Sequence, residues 1–290
     1  RRMSSPDGSS TRANDAPLTP PQRVVVVGGN GTVGLGVLEA LVTSGGNAGG
    51  SSGSSSGASE FAVHAICRRG GPPSGLPQAA VQGWLQRVTW HACDVQDTLA
   101  LTHCLAAIAP QAGIIAMGRL QPVNQLLPGR RAAVLRDASE PALCAIEALS
   151  AAGATALVYV SGLFPEPPPA PPGILRRGLD LWLQPQQRAK AAVEARVQAQ
   201  FGPAASLIIR AGLVCGWNAL CGVRIWTPPG TRDPARQRWL RRLVPHAVSA
   251  VDIGSACVAF LRGGQSGGII AGAAILDAGA PDAAPHEPQP

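Results

Sequence analysis

The sequence is poor in the side chains that most often carry chemistry. Its 290 residues include one tyrosine, Tyr159, one lysine, Lys190, two methionines and four phenylalanines. Any mechanism that needs a phenol or an amine therefore has one candidate for each. Charged residues make up 14%, too few for a coiled coil, and hydrophobic residues make up 46%, too many for a disordered chain. No apolar run reaches the ~18 residues that a membrane span needs. The seven cysteines, at 67, 93, 104, 144, 215, 221 and 257, never form a C-x-x-C pair. An odd, scattered set inside apolar runs reads as buried free thiols in a reducing compartment. The five histidines do not cluster either, which argues against a metal site.

What the chain has in excess is arginine, and with it a net charge of +7. The excess is local. Arg224, Arg232, Arg236, Arg238, Arg241 and Arg242 face one acid, Asp233, in a stretch that also holds Trp226 and Trp239. Arginine beside tryptophan suits an anionic lipid surface or an acidic partner protein, and a merely solvated basic face is the alternative. No nucleic-acid-binding motif accompanies it.

Apolar β-branched runs alternate with longer helical stretches, the pattern of a parallel sheet with crossover helices. Strands are expected over 23–28, 61–67, 88–93, 113–117, 156–161 and 206–211, with a weaker one over 268–276. Helices are expected over 33–43, 99–109, 132–152, 187–200 and 251–262, and Pro141 predicts a kink or break in the third. The fold class is thus α/β, a Rossmann-type doubly wound parallel sheet. A Gly/Ser run over 45–59 and a proline-rich run over 164–173 read as solvent-side insertions. Residues 1–22 read as a flexible tail or as the remnant of an organelle transit peptide, and 281–290 as a second tail.

The strongest local motif is VVVVGGNGTVG. A buried strand runs into Gly28, Gly29, Asn30, Gly31, Thr32, Val33 and Gly34, and then into an apolar helix. Glycines there permit a tight turn and close backbone approach, so that a pyrophosphate can sit at the helix N-terminus. The second strand ends in Arg68 and Arg69 with no acid nearby, which favours a ribose 2′-phosphate and hence NADP(H) over NAD(H); two solvated arginines are the alternative. Asp94, followed by Val95, ends the third strand, where a carboxylate can reach an adenine amino group or cap the strand.

These blocks resemble the short-chain dehydrogenase/reductase superfamily in its atypical members. GGNGTVG, RVTWHACDV, LVYVSG, AKAAVEARV, SLIIRAGLVCGW and AVSAVDIGSACVAFL occur in the family's order and cover roughly 23–280. The resemblance implies a dinucleotide-binding domain over 23–280 with a small C-terminal lobe at about 212–250. The GGNG form and the RVTW block look most like an organelle branch. That branch holds the nucleotide-binding accessory subunit of mitochondrial complex I, proteins associated with ubiquinone biosynthesis, and plastid relatives. A mitochondrial location on the matrix side of the inner membrane, or a plastid one, is implied in turn, with subunits of a large membrane-associated complex as partners.

In active family members a serine, a tyrosine and a lysine four residues later carry proton transfer during hydride transfer. Lys190 falls at the lysine position and Ser161 at the serine position. Gly118, after the fourth strand, is implied to lie against the cofactor. Gln186 stands where the tyrosine belongs, and an amide exchanges no proton at neutral pH. Tyr159 lies inside the fifth strand and is expected to pack there. A further departure is Arg210-Ala211-Gly212, where the family usually has Arg-Pro-Gly. The sequence thus keeps what binds dinucleotide and loses the residue that moves the proton. It implies a binder first and an NADPH-dependent reductase or isomerase second.

Overall fold

A computed structural model describes residues 20–44, 60–76, 78, 82–118, 128–162, 174–211, 214–215, 218–220, 223–225 and 248–278. The Gly/Ser run, the proline-rich run, the C-terminal tail and all but Arg224 of the arginine–tryptophan stretch lie outside the described residues, as do residues 1–19 of the N-terminal tail.

The chain begins with β1 (Gln22–Val27), α1 (Thr32–Thr43) and β2 (Phe61–Cys67). A 3-10 turn (Trp84–Arg87) leads into β3 (Val88–Ala92), α2 (Thr98–Ile108) and β4 (Ala112–Ile115). Next come α3 (Arg131–Ala151), β5 (Ala156–Gly162), α4 (Ile174–Phe201) and β6 (Ser206–Ala211). Short strands β7 (Val214–Cys215), β8 (Asn218–Leu220), β9 (Val223–Ile225) and β10 (Val248–Ser249) precede α5 (Ala250–Leu261). The described chain closes with β11 (Gly268–Ala271) and α6 (Ala273–Ala278).

Seven strands form one sheet in the order β11-β6-β5-β4-β1-β2-β3, all pairs parallel. Four consecutive valines explain why β1 sits near its centre. Val24 and Val26 face one hydrophobic cluster, Val25 and Val27 the other, and all four have no exposed surface. A strand apolar on both sides is stable only between two helical layers. Helices α1, α5 and α6 build the first layer, α2, α3 and α4 the second. The strand order reverses between β1 and β4, which opens a crevice beyond their carboxyl ends.

Helices α1 and α5 pack through small residues. A Cβ on Gly36 would lie 2.4 Å from the Ala250 carbonyl carbon, and one on Gly254 would lie 2.6 Å from both Ala40 Cβ and Gly36 O. Ser249 and Asp252 form a capping box that fixes where α5 starts against α1.

Three expectations are corrected in whole or in part. The segment 268–276 is not one strand: β11 stops at Ala271, Gly272 takes φ +57°, and the chain turns into α6. Its apolar run is short on alternation, and Ile275 is instead buried at helical spacing in the first layer. Of the kink or break expected at Pro141 the break does not occur, since the helix is continuous from Arg131 to Ala151. One missing N–H is outweighed by packing of Ala142, Ala145, Ile146 and Leu149 into the sheet. Helix α4 also starts thirteen residues before the expected 187 and runs on through Pro185. The five cysteines whose side chains are described are free thiols, and Cys257 is fully buried, which pushes its pKa up to about 12. Among the described residues no helix is long and apolar enough to cross a membrane.

Adding a methyl group in the α1–α5 contact should force the helices apart. Gly36→Ala is expected to lose about 1–3 kcal/mol of stability in chemical denaturation, and an unchanged midpoint would refute this packing role. A second prediction concerns acid. His64 on β2 and His91 on β3 place Nδ1 and Nε2 3.0 Å apart, near Arg23. Burial lowers both pKa values, and for His64 the charges of His91 and Arg23 lower it further. Above roughly pH 6.5 the imidazoles are neutral whether the chain is folded or not. Below it the unfolded chain takes up protons that the folded pair resists, so stability should fall with falling pH. His91→Gln should flatten that slope, measured as melting temperature between pH 7.5 and 5.

Candidate functional site

The candidate site is built where the strands end. After Val27 the backbone turns at Gly28, whose φ of +89° favours glycine. Gly28 N–H donates to Ile66 O (3.0 Å), Gly31 N–H to Gly28 O (3.0 Å) and Leu35 N–H to Gly31 O (2.9 Å), which carries the chain into α1. No side chain can replace Gly34, because its Cβ would lie 2.3 Å from Gly28 O. Gly29 is pressed on Ala65, and Gly28 on Ala116 and Met117 of the next strand end. Asn30, Thr32 and Val33 complete the turn, partly buried. The cap residue Gly31 contributes no side chain, and no acid stands in the first turn of α1. The positive end of the helix is therefore available to an anion such as a pyrophosphate.

The remaining sequence-predicted residues line the same edge of the sheet. Arg68 and Arg69 are exposed in the turn after β2, Asp94 and Val95 follow β3, and Gly118 follows β4. Ser161 ends β5, and Lys190 reaches in from α4. From the end of β2 to that of β5 there are three interstrand gaps, about 14 Å in all. Asp94 already makes a local turn: its Oδ1 accepts from Gln96 N–H (3.1 Å), and its carbonyl accepts from Asp97 N–H (3.0 Å). Val95 is buried, so its side chain belongs to the second core layer.

At the β4–β5 end the structure gathers groups that sequence spacing keeps apart. Gln186, Lys190 and Glu194 lie four residues apart on α4, hence on one face. Lys190 Nζ lies 5.0 Å from the centre of the Tyr159 ring, so the only lysine rests on the only tyrosine. It also lies 3.5 Å from where a Cβ on Gly118 would be, at the open rim of the crevice. Glu194 does not pair with it. The carboxylate is held by Arg210 of β6, with Nη2 donating to Oε2 (2.7 Å) and Nε to both oxygens (3.2 and 3.3 Å). This ion pair escaped the sequence reading, because the spacing from Lys190 to Glu194 points instead to a pair along the helix that does not form.

Burial sets the protonation of this cluster. Desolvation, then the Glu194 charge, raises the Tyr159 pKa well above the ordinary phenol value, and Ser161 offsets this weakly. A phenol so disposed stays neutral and cannot replace the missing acid, although it lies beside the lysine. Desolvation lowers the Lys190 amine to about 8, against a partial opposing pull from Glu194. The hydroxyls of Tyr159 and Ser161 are buried, and beyond one another they meet no hydrogen-bond partner among the described residues. No group of three or more potential metal ligands occurs among the described residues.

The glycine cradle, shaped so that a Cβ would fill it, fits a dinucleotide pyrophosphate, and Lys190 fits a ribose hydroxyl. No protein-family model matches the chain, and no curated protein matches it. Solved structures do share its fold. The WbmG enzyme of Bordetella bronchiseptica in complex with NAD is 14% identical, with 88% of this chain and 74% of that one covered and a TM-score of 0.52. UDP-glucose 4-epimerase from Bifidobacterium longum, in complex with NAD+ and UDP, is 14% identical over 86% of this chain and 76% of that one, at 0.55. dTDP-4-dehydrorhamnose reductase from Bacillus anthracis, in complex with NADP, is 14% identical over 87% and 75%, at 0.52. At this identity the likeness is one of fold, a Rossmann-type α/β sheet.

Because the protein has one lysine, its titration can be read directly. Protein carrying isotope-labelled lysine should show one side-chain resonance with a midpoint near 8. Glu194→Gln should move that midpoint lower, since it removes the one negative charge that favours the ammonium ion and leaves Arg210. A midpoint near the ordinary lysine value would contradict the burial described above.

Proposed function

We propose that the protein binds NADP(H) along the crevice between β1 and β4 and serves as a non-catalytic accessory subunit of a mitochondrial respiratory assembly, complex I, on the matrix side of the inner membrane. One observation carries the reading. The glycine cradle stands at the switch point and Lys190 at the β4–β5 end of the crevice, while the helix position that would deliver a proton holds Gln186. A nicotinamide supplies hydride, but a carbonyl acceptor also needs a proton, and neither an amide nor a phenol held neutral by burial gives one up readily. Binding without a positioned acid accelerates nothing. What it does supply is stability, because only the folded chain holds the nucleotide.

The NADP(H) preference is supported by Arg68 and Arg69, exposed at the β2 end with no acid beside them. Support for the assembly is of another kind: the sequence resemblance, and the stretch carrying Arg224, Trp226, Arg236, Arg238, Trp239, Arg241 and Arg242, whose chemistry suits an anionic lipid surface or acidic subunit. A second reading, an NADPH-dependent reductase or isomerase acting in ubiquinone or plastid quinone metabolism, is favoured by the Lys190 amine itself, which with a pKa of about 8 can exchange a proton.

NADPH titration followed by fluorescence tests the binding. Gly34→Ala should abolish it, and replacing Arg68 and Arg69 by serine should weaken NADPH relative to NADH by about tenfold or more. Equal weakening of both nucleotides would remove the 2′-phosphate role. Affinity should also fall as pH rises through about 8, where Lys190 loses the charge that favours an anionic ligand, and Lys190→Arg should remove that dependence. Native-gel mass spectrometry should find the chain migrating with a large respiratory complex. Recovery as a free monomer, with complex I lacking it, would end the accessory reading, and NADPH turnover on a quinone panel, lost in Lys190→Ala, would establish the second.

A further inference from the structure

Dinucleotide binding uses Lys190 as a hydrogen-bond donor, yet the groups around the amine are arranged for more than that. We infer that Lys190 is a carbonyl-capturing residue, condensing reversibly with a small aldehyde or ketone in the recess bounded by the ends of β4 and β5 and by α4.

Four features of the recess support this. First, the amine has no ion-pair partner among the described residues, because Glu194, the acid on its own helix face, is held at two points by Arg210 of β6. Such a lysine is not pinned as an ammonium ion. Second, the Tyr159 ring beneath it accepts no proton and positions the Nζ by its face, 5.0 Å away. Third, Gly118 is exposed and has no side chain on the side of the amine, where a Cβ would lie 3.5 Å from Nζ. Fourth, Tyr159 Oη and Ser161 Oγ are buried on the strand face that Lys190 covers, and beyond one another they meet no hydrogen-bond partner among the described residues. If one hydroxyl donates to the other, one donor is left over for a bound oxygen.

Burial adds to this geometry. With a pKa of about 8, roughly a tenth of the amine is neutral and nucleophilic at pH 7. The neutral nitrogen attacks the carbonyl carbon, a C–N bond forms, and the carbonyl oxygen takes up the proton that the nitrogen loses. The hydroxyls of Ser161 and Tyr159 donate to that oxygen in the tetrahedral carbinolamine. The C–O bond then breaks as the nitrogen lone pair closes the C=N bond, and the leaving oxygen takes the remaining N–H proton and departs as water. One carbonyl and one amine become one imine and one water, with no oxidant or reductant. Glu194 and Arg210 are the charged groups facing the lysine, and neither takes part.

The inference concerns the site used in the dinucleotide reading but does not require nucleotide to bind. The test treats the full chain at pH 7 with propanal and cyanoborohydride, which fixes any imine as a propyl-amine, and reads intact mass followed by peptide mapping. Modification at Lys190 is expected about tenfold faster than that of Nα-acetyl-lysine in the same solution. A rate no faster than the free amino acid, or label confined to the α-amino terminus, would overturn the inference. Tyr159→Phe keeps the ring and removes one donor, so the rate should drop several-fold; an unchanged rate would remove the phenol from the capture. NADPH, its binding measured separately by fluorescence, should protect Lys190. Capture without NADPH binding would count against the dinucleotide reading alone, and NADPH binding without capture against this one.

Discussion

The chain leaves β1 and enters α1 within four residues, and it can do so because no side chain stands at Gly34, whose Cβ would lie 2.3 Å from Gly28 O. The rest of the molecule follows from that close approach. It presses α1 on the sheet, so that Val37, Leu38 and Leu41 pack against Val24 and Val26. In turn α1 receives α5 through Gly36 and Gly254. The same turn leaves the positive end of α1 at the point where the strand order reverses, between β1 and β4. Fold and anion site are thus consequences of a single steric condition.

At the other end of the crevice, electrostatics rather than sterics decides what the side chains can do. Tyr159 and Lys190 sit close together in a poorly solvated recess, and desolvation moves them in opposite directions. The phenol is held neutral and the amine is made easier to deprotonate, while the Glu194 carboxylate is paired with Arg210. Of these groups the Lys190 amine has the pKa nearer neutrality. The Tyr159 and Ser161 hydroxyls are buried, with no hydrogen-bond partner beyond one another among the described residues.

Much of this was legible in the residues. Buried strands announce themselves through β-branched runs, and the glycine spacing names its turn, because both are local properties of the backbone. Where locality failed, so did the reading. Pro141 lies within a continuous helix because core burial outweighs one lost hydrogen bond, and α4 runs through Pro185 as well. The run over 268–276 reads as strand by composition, yet Gly272 turns it and Ile275 is claimed by the first helical layer.

The sequence by itself determined the parallel α/β class, the glycine turn, and the absence of a phenol four residues before the only lysine, since each depends on neighbours within one or two turns of chain. What the tertiary structure decided is that the only tyrosine lies under that lysine, and that Arg210 rather than Lys190 holds Glu194. Tyr159 and Lys190 are 31 residues apart and on different elements. Their meeting depends on the face of β5 that the sheet turns toward α4, and desolvation there, which no local pattern records, sets their protonation.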